Sequence, residues 1–502
     1  MARPSKRTFP PSFWVASGIT LCERTAFYAV ASFSVVYLHE NLGMGPALAT
    51  LLNGALLWGL ALLLPLFRPA EFHPWHLRRF LGLALAATTA GYLILGYVRQ
   101  IWNGLFGLER GIEMEYTLPV VLGILLIALG RSFVQPTVAA TMTRMVPDRP
   151  AGAMGILFLV TILASLAGRV VSLAVRTGGL SLFRGSDGSP AVTIAPGIPA
   201  LFSPVAAIFS LLALVLVLLF LRIPRRIPGT GTPPTRSSRF LPLEKARELA
   251  SVFGHPGFLL FVMTTSLFWF LHCQIFNLVP LYLRFFHPRA PVELYTLLNP
   301  LFIMTFQIAV SKSVKRHGGL QAMSRALMLT ALGIGLNLLL LAFHADLFAR
   351  PSFWGIGIPV AGLGILGFLA ALAIGEMMMS GSMGDTLSRF APRGREALFS
   401  RYANLPVALG TILGAPLGGA LFYRFMWLPR QKGDAPRILF VWLAFLLLAM
   451  VTLIGLHFLS RFQKRAPRYP AGPGTPIDWM KESSSHETVN PSETHDRQSI
   501  RR

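Results

Sequence analysis

The chain has 502 residues, of which 53% are hydrophobic and only 13% charged, and its formal net charge is +24. A soluble globular chain carries about 25% charged residues, so this composition excludes an ordinary soluble domain and points to a polytopic membrane protein. A basic excess can mark a nucleic-acid binder, but here Lys and Arg fall in short gaps between apolar runs, so nucleic acid is not expected as a partner.

Crossing a bilayer as a helix takes about 20 apolar residues. Runs of that length lie near 12–38, 46–67, 80–98, 119–143, 151–175, 200–221, 257–283, 294–312, 322–343, 357–380, 402–423 and 438–460. They are continuous rather than alternating, which selects helices over strands and predicts an all-α membrane protein with twelve transmembrane helices. The opening "MARPSKR" runs into a long apolar segment with no small-residue cleavage site, so the first span is expected to serve as its own insertion signal. Cys22 and Cys273 both lie inside apolar runs, which argues against a disulfide framework. Residues 222–256 form the longest basic linker, with Pro, Gly and Ser followed by "PLEKARELASVF", a short amphipathic stretch suited to a membrane surface. The linker divides the chain into bundles over 1–221 and 257–460, and the polar tail, 461–502, has the composition of a disordered cytoplasmic segment. With the N-terminus inside, inner segments hold 31 Lys and Arg against 11 in outer ones. That bias predicts cytoplasmic termini in a cell (inner) membrane. Six plus six spans around a basic loop is the layout of the major facilitator superfamily, whose halves enclose a midplane site.

Few charges fall inside the spans: Glu23 and Arg24 in the first, Arg131 in the fourth, Arg169 in the fifth and Glu376 in the tenth. Each costs roughly 2.5–3.5 kcal/mol at a helix centre on insertion scales, so each is expected to face a partner or a hydrated cavity. Structural ion pairing is an equal reading for Arg24 and Arg169. Glu376, in "ALAIGEMMMSGS", has no cation in its own span; its partner must come from another helix or a ligand, which makes it a candidate proton carrier. Arg131 and Gln135 stand one turn apart in "GRSFVQPTV" and share a face, with Pro136 able to kink the helix beside them. A ligand-binding pair and an interhelical contact are both consistent with that spacing. His272 reads as a hydrogen-bonded helix contact more readily than as a proton relay. "GTILGAPLGGALF" and "GLGILGFLAALAIG" read as close helix packing, since no strand precedes them and no Walker lysine follows. No metal-ligand spacing or nucleophile triad is visible, so no cofactor and no enzymatic role are expected.

Together these stretches resemble the proton-dependent oligopeptide transporter (POT) family of the major facilitator superfamily. Its first-span signature, E-x-x-E-R-F-x-Y-Y, is matched by "TLCERTAFY" at Glu23, Arg24 and Tyr28, with Phe27 a conservative change. "GEMMMSGSMGDTLSRFAP" is similar to the family's tenth-span stretch and places Glu376 on its carboxylate. "LFWFLHCQ" and "LLNPLFI" put Gln274 and Asn299 on matching positions. The departures are Thr20 for the first signature glutamate, Thr25 for its Phe, Ala31 for a basic residue, Gln135 for the fourth-span lysine and Leu163 for a fifth-span asparagine.

The resemblance implies a secondary active transporter that takes up small peptides or similar polar solutes with protons, by alternating access. Glu23, Arg24 and Glu376 would then couple protons, while Tyr28, Arg131, Gln135, Gln274 and Asn299 would bind substrate. Its expected partners are a small-molecule solute, protons and the bilayer, in a monomer. An uncoupled facilitator or exporter, and a non-transporting scaffold of the same fold, are the alternatives.

Overall fold

The computed structural model describes residues 9–67, 74–106, 116–146, 149–177, 202–221, 250–288, 290–343, 360–391 and 402–465, with short pieces at 180–181, 193–194, 352–353, 356–357 and 398–399. Residues 222–249 of the linker, which hold most of its amphipathic stretch, and the tail past residue 465 lie outside the described residues. Met1–Ser460 make one compact unit. Among the described residues, twelve helices are long and apolar enough to cross a membrane. We number them α1 (Pro11–Asn41), α2 (Pro46–Leu66), α3 (Leu77–Gly96), α4 (Thr117–Met145), α5 (Gly152–Arg176) and α6 (Phe202–Phe220), then α7 (Pro256–Phe276), α8 (Val292–His317), α9 (Gly319–Phe343), α10 (Val360–Phe390), α11 (Leu405–Gln431) and α12 (Ile438–Gln463). Each overlaps an expected apolar run, and α10 and α11 run on to Phe390 and Gln431, past the expected ends at 380 and 423. The described strands are four two-residue pieces, Leu180–Ser181 paired with Thr193–Ile194 and Ser352–Phe353 with Ile356–Gly357.

Within the first half, α1 packs on α5 and α6, and α3 packs on α4 and α6. Its apolar core includes Phe13, Ile19, Leu85, Val138, Met142 and Val217, drawn from four of these helices. In the second half, α10 packs against α8 and α9, while α7 lies along α11. Helices in lipid approach through small residues, and the glycine-rich eleventh span shows why. A Cβ at Gly410 would meet the Ser266 carbonyl at 2.4 Å, and one at Gly414 would meet Cys273 Sγ at 2.8 Å.

The halves meet along two seams. In the first, α2 faces α11 so closely that a Cβ at Gly54 would come within 2.0 Å of Ala415 Cβ. In the second, α5 faces α8: Arg176 Nε and Nη2 donate to Glu293 Oε1 and Oε2 at 2.8 and 2.9 Å, and both side chains are buried. At the same end of the bundle, Arg284, on the short helix Leu278–Phe286 after α7, forms an ion pair with Glu40 of α1. The seams are therefore fastened where α1, α5 and α7 finish and α8 begins. Toward its other end α8 is exposed at Leu301, Met304, Thr305, Phe306, Ile308 and Ala309. Those positions spread over more than half of the helix circumference.

Two irregularities position the middle of the bundle. Helix α2 widens to π turns over Leu51–Leu60, and α7 tightens over Cys273–Phe276 before Asn277 breaks it. Backbone freed at membrane depth must be satisfied inside the protein. Asn53 of α2 does so across the halves, donating to the Phe276 carbonyl at 2.8 Å and to Asn277 Oδ1 at 3.1 Å. Asn277 Nδ2 in turn donates to the Cys273 carbonyl at 2.7 Å. Pro136, by contrast, sits inside an unbroken α4.

The α2–α11 seam has little tolerance for volume. A Gly54→Val substitution should destabilise the protein by about 1–3 kcal/mol, as overpacking does in well-packed cores. Gly335→Ala, where a Cβ meets nothing within 4 Å, should leave the melting temperature unchanged in the same detergent. Equal melting temperatures for both variants would contradict the seam.

Candidate functional site

Glu23 and Arg24 are consecutive on α1, and consecutive helical residues do not face each other. Their contact is accordingly partial: Arg24 Nε lies 3.4 Å from Glu23 Oε2, and both side chains are buried. Glu23 Oε1 and Arg24 Nη2 have no hydrogen-bond partner. Arg131 enters from α4, with its Cζ 3.0 Å from the centroid of the Phe27 ring and 5.2 Å from that of Trp58. Such cation–π contacts offset part of the cost of desolvating a guanidinium, yet Arg131 Nη1 is also unpartnered. Tyr92 of α3, fully buried with its hydroxyl unpaired, lies within electrostatic reach of Glu23, Arg24 and Arg131.

On the other half, three helices converge on Glu376 of α10. Asn299 Nδ2, from α8, donates to Glu376 Oε2 at 2.8 Å. His272 Nε2, from α7, stands 2.9 Å from the same oxygen, a contact that falls short of hydrogen-bond alignment. The partner that Glu376 required from outside its own span is thus this histidine, which makes an interhelical contact between α7 and α10. Glu376 is only partly covered, and Ser380 and Gly384, which continue its stripe at four-residue steps, are exposed.

Aromatic rings link the two groups. Trp58 packs edge-on against Phe27 at 4.7 Å and stacks on Phe276 of α7 at 4.6 Å. Arg169 of α5 lies over Tyr28 at 5.0 Å and over Phe276 at 5.5 Å. It donates from Nη1 to the Ser165 carbonyl at 2.8 Å, leaves Nε unpartnered, and is within electrostatic reach of Glu376. The structure therefore brings Glu23, Arg24, Tyr28 and Arg131 together on one half, and Glu376 with Asn299 on the other.

Gln135 and Gln274 stand apart. Gln135 is exposed although it lies well round α4 from the outward row of Leu118, Leu122, Leu129 and Phe133. It shares a face with Arg131 but not its covering rings. Gln274 Nε2 donates to the Phe270 and Gly414 carbonyls, both at 2.9 Å, and so ties α7 to α11. Sequence reasoning missed Tyr92, Trp58 and Asn53. Their signal was weak: none is charged, and each stands among mostly apolar neighbours.

No protein-family model matches the chain, and no curated protein is similar to it in sequence. Solved structures do match. A peptide transporter POT in complex with sulfate aligns over 91% of this chain and 97% of its own, with a TM-score of 0.62 and 16% identity. An auto-inhibited POT family peptide transporter gives a TM-score of 0.63 at 16% identity, covering 92% and 99%. A POT family transporter in complex with 5-aminolevulinic acid gives 0.61 at 16%, covering 92% and 98%. With twelve membrane-length helices and alignments that span both halves, this chain is a multi-pass membrane protein with the fold of the POT family transporters, a major facilitator architecture of two six-helix halves.

Proposed function

We propose that the chain is a divergent POT family member, a secondary transporter that moves peptide-like solutes by alternating access and couples that movement to protons. The observation that carries the reading is the division of charge. Arg24 and Arg131 lie on one half, and Glu376 lies on the other. A zwitterionic solute needs a cation for its carboxylate and an anion for its amine, and a solute held at both ends links the halves. Relatives of this fold are solved with a thioalcohol-conjugated peptide and with alafosfalin, and small polar solutes of that kind are the class proposed here.

With both termini cytoplasmic, the end fastened by Arg176–Glu293 and Arg284–Glu40 is the outer one. Breaking a buried pair leaves an uncompensated charge, which costs about 3–5 kcal/mol, so opening that end needs a compensating event. Solute bound between the halves supplies one. Glu376 is the proposed proton carrier: its carboxylate accepts from Asn299 and meets His272. A proton or a substrate ammonium arriving there competes with the histidine. Glu23, beside Arg24, is the second carboxylate of the coupling group.

Two measurements in proteoliposomes test this reading. Wild-type protein should accumulate a labelled dipeptide when the pH gradient is directed inward. A Glu376→Gln variant keeps the shape and most of the hydrogen bonding but cannot titrate, so it should lose accumulation while retaining exchange without a gradient. Accumulation that persists in the variant would move the carrier role to Glu23, and uptake by wild type that ignores the gradient would establish an uncoupled facilitator. For the carboxylate end, loss of a charge-assisted bond costs on the order of 1.5–3 kcal/mol. Arg131→Gln should therefore reduce uptake by about 10–100-fold, whereas Gln135→Ala, which removes only a neutral group, should reduce it by less than about threefold. Equal, mild effects would remove α4 from the binding site.

A further inference from the structure

The buried charges at the centre of the bundle do not balance. Arg24, Arg131 and Arg169 face Glu23 and Glu376, three cations against two anions, and His272 can only add to that excess of one positive charge. The other buried ion pair in the spans, Arg176 with Glu293, is neutral as a unit. The other titratable side chains beside these groups are Cys22, Tyr28, Tyr92, His272 and Cys273. The excess is not hidden in hydrogen bonds. Arg24 Nη2, Arg131 Nη1 and Arg169 Nε are all buried without partners, on side chains that are 5% exposed or less. Phe27, Trp58, Tyr28 and Phe276 lie against the guanidinium groups of Arg131 and Arg169, but ring faces reduce the cost of a cation without cancelling its charge.

A buried charge without a counter-charge is among the costliest features a protein can carry. Three unpaired donors and one surplus charge, joined to the second half through Trp58 and Phe276, describe a site whose counter-ion arrives with the ligand. We infer that the preferred solute carries a net negative charge, as an acidic dipeptide does, rather than being a neutral zwitterion. The inference rests on the reading of these residues as the solute site. A neutral dipeptide would place its carboxylate among the arginines and its ammonium at Glu376, and the excess would remain. A solute with one further carboxylate removes it, and Arg169, within electrostatic reach of Glu376 and with a free Nε, is positioned to take that group.

The test uses the full-length protein in lipid nanodiscs and calorimetric titration at neutral pH with Ala-Ala, Ala-Glu, Ala-Lys and, as a non-peptide monoanion, benzoate. Ala-Glu should bind about tenfold tighter than Ala-Ala, and Ala-Lys should bind weaker than both. Arg131→Gln removes the surplus charge and should flatten the ranking even where overall affinity falls, while Arg131→Lys should keep it. Arg169→Gln, which makes the same change in net charge from a different helix, serves if Arg131→Gln does not fold. Dipeptides that bind with no preference for Ala-Glu, or a ranking unchanged in the folded neutralised variant, would overturn the inference and leave peptide transport standing. Binding of benzoate with no dipeptide binding would do the reverse, sinking the peptide reading while the charge preference held. If no anionic probe binds, the inference is overturned.

Discussion

A charge in hydrocarbon must find a partner or face water, and the organisation of this protein follows from that constraint. Glu23, Arg24, Arg131, Arg169 and Glu376 sit mid-span on four helices, and none could face lipid without a large penalty. All are directed into the protein, where aromatic rings, Asn299 and His272 take up part of their demand. The demand is not fully met. Glu23 Oε1, Arg24 Nη2, Arg131 Nη1 and Arg169 Nε stay unpartnered. An unsatisfied group in a packed core is a defect, but at the proposed solute site it is a reason to bind something.

The two seams set how the halves meet. At one end they are held by ion pairs and by small-residue packing in which a single added methyl has no room. The Asn53 link to the broken backbone of α7 lies on the same side. That break comes one turn after His272, so the residue that meets Glu376 sits directly before the segment stitched to the opposite half. Displacement of His272 from Glu376 would therefore be felt where α7 meets α2. The ladder from Arg131 through Phe27, Trp58 and Phe276 to Arg169 crosses between the halves at the same place.

Much of the architecture was legible in the sequence because hydropathy and length are local properties. Twelve runs of about 20 apolar residues could become little else, and the eleventh span's glycines announced close packing before any contact was known. The in-span charges were legible for the same reason, since each stands out against an apolar background. Their partners were not. Glu376 meets a histidine and an asparagine from two other spans, and no spacing rule connects such distant positions. Gln135 and Arg131 show the limit from the other side: helical geometry gave their shared face correctly, but only the rings of Phe27 and Trp58 decide that one is covered and the other exposed. Gln274 matched a family position, and in the structure its amide nitrogen joins α7 to α11 while its oxygen stays unpartnered.

The central claim is that one solute, held by arginines of the first half and by Glu376 of the second, changes how the halves stand. Spin labels offer the most direct measurement. One pair would join exposed Leu159 of α5 to exposed Ile308 of α8 at the unfastened end, and a second would place labels at the fastened end near Glu40 and Arg284. Saturating dipeptide should redistribute both distance distributions in opposite directions, the first shortening as the second lengthens; Arg131→Gln should abolish the shift, whereas Glu376→Gln, which keeps exchange, should retain it. Distributions that do not respond to any bound solute, or that respond equally in both variants, would contradict the account.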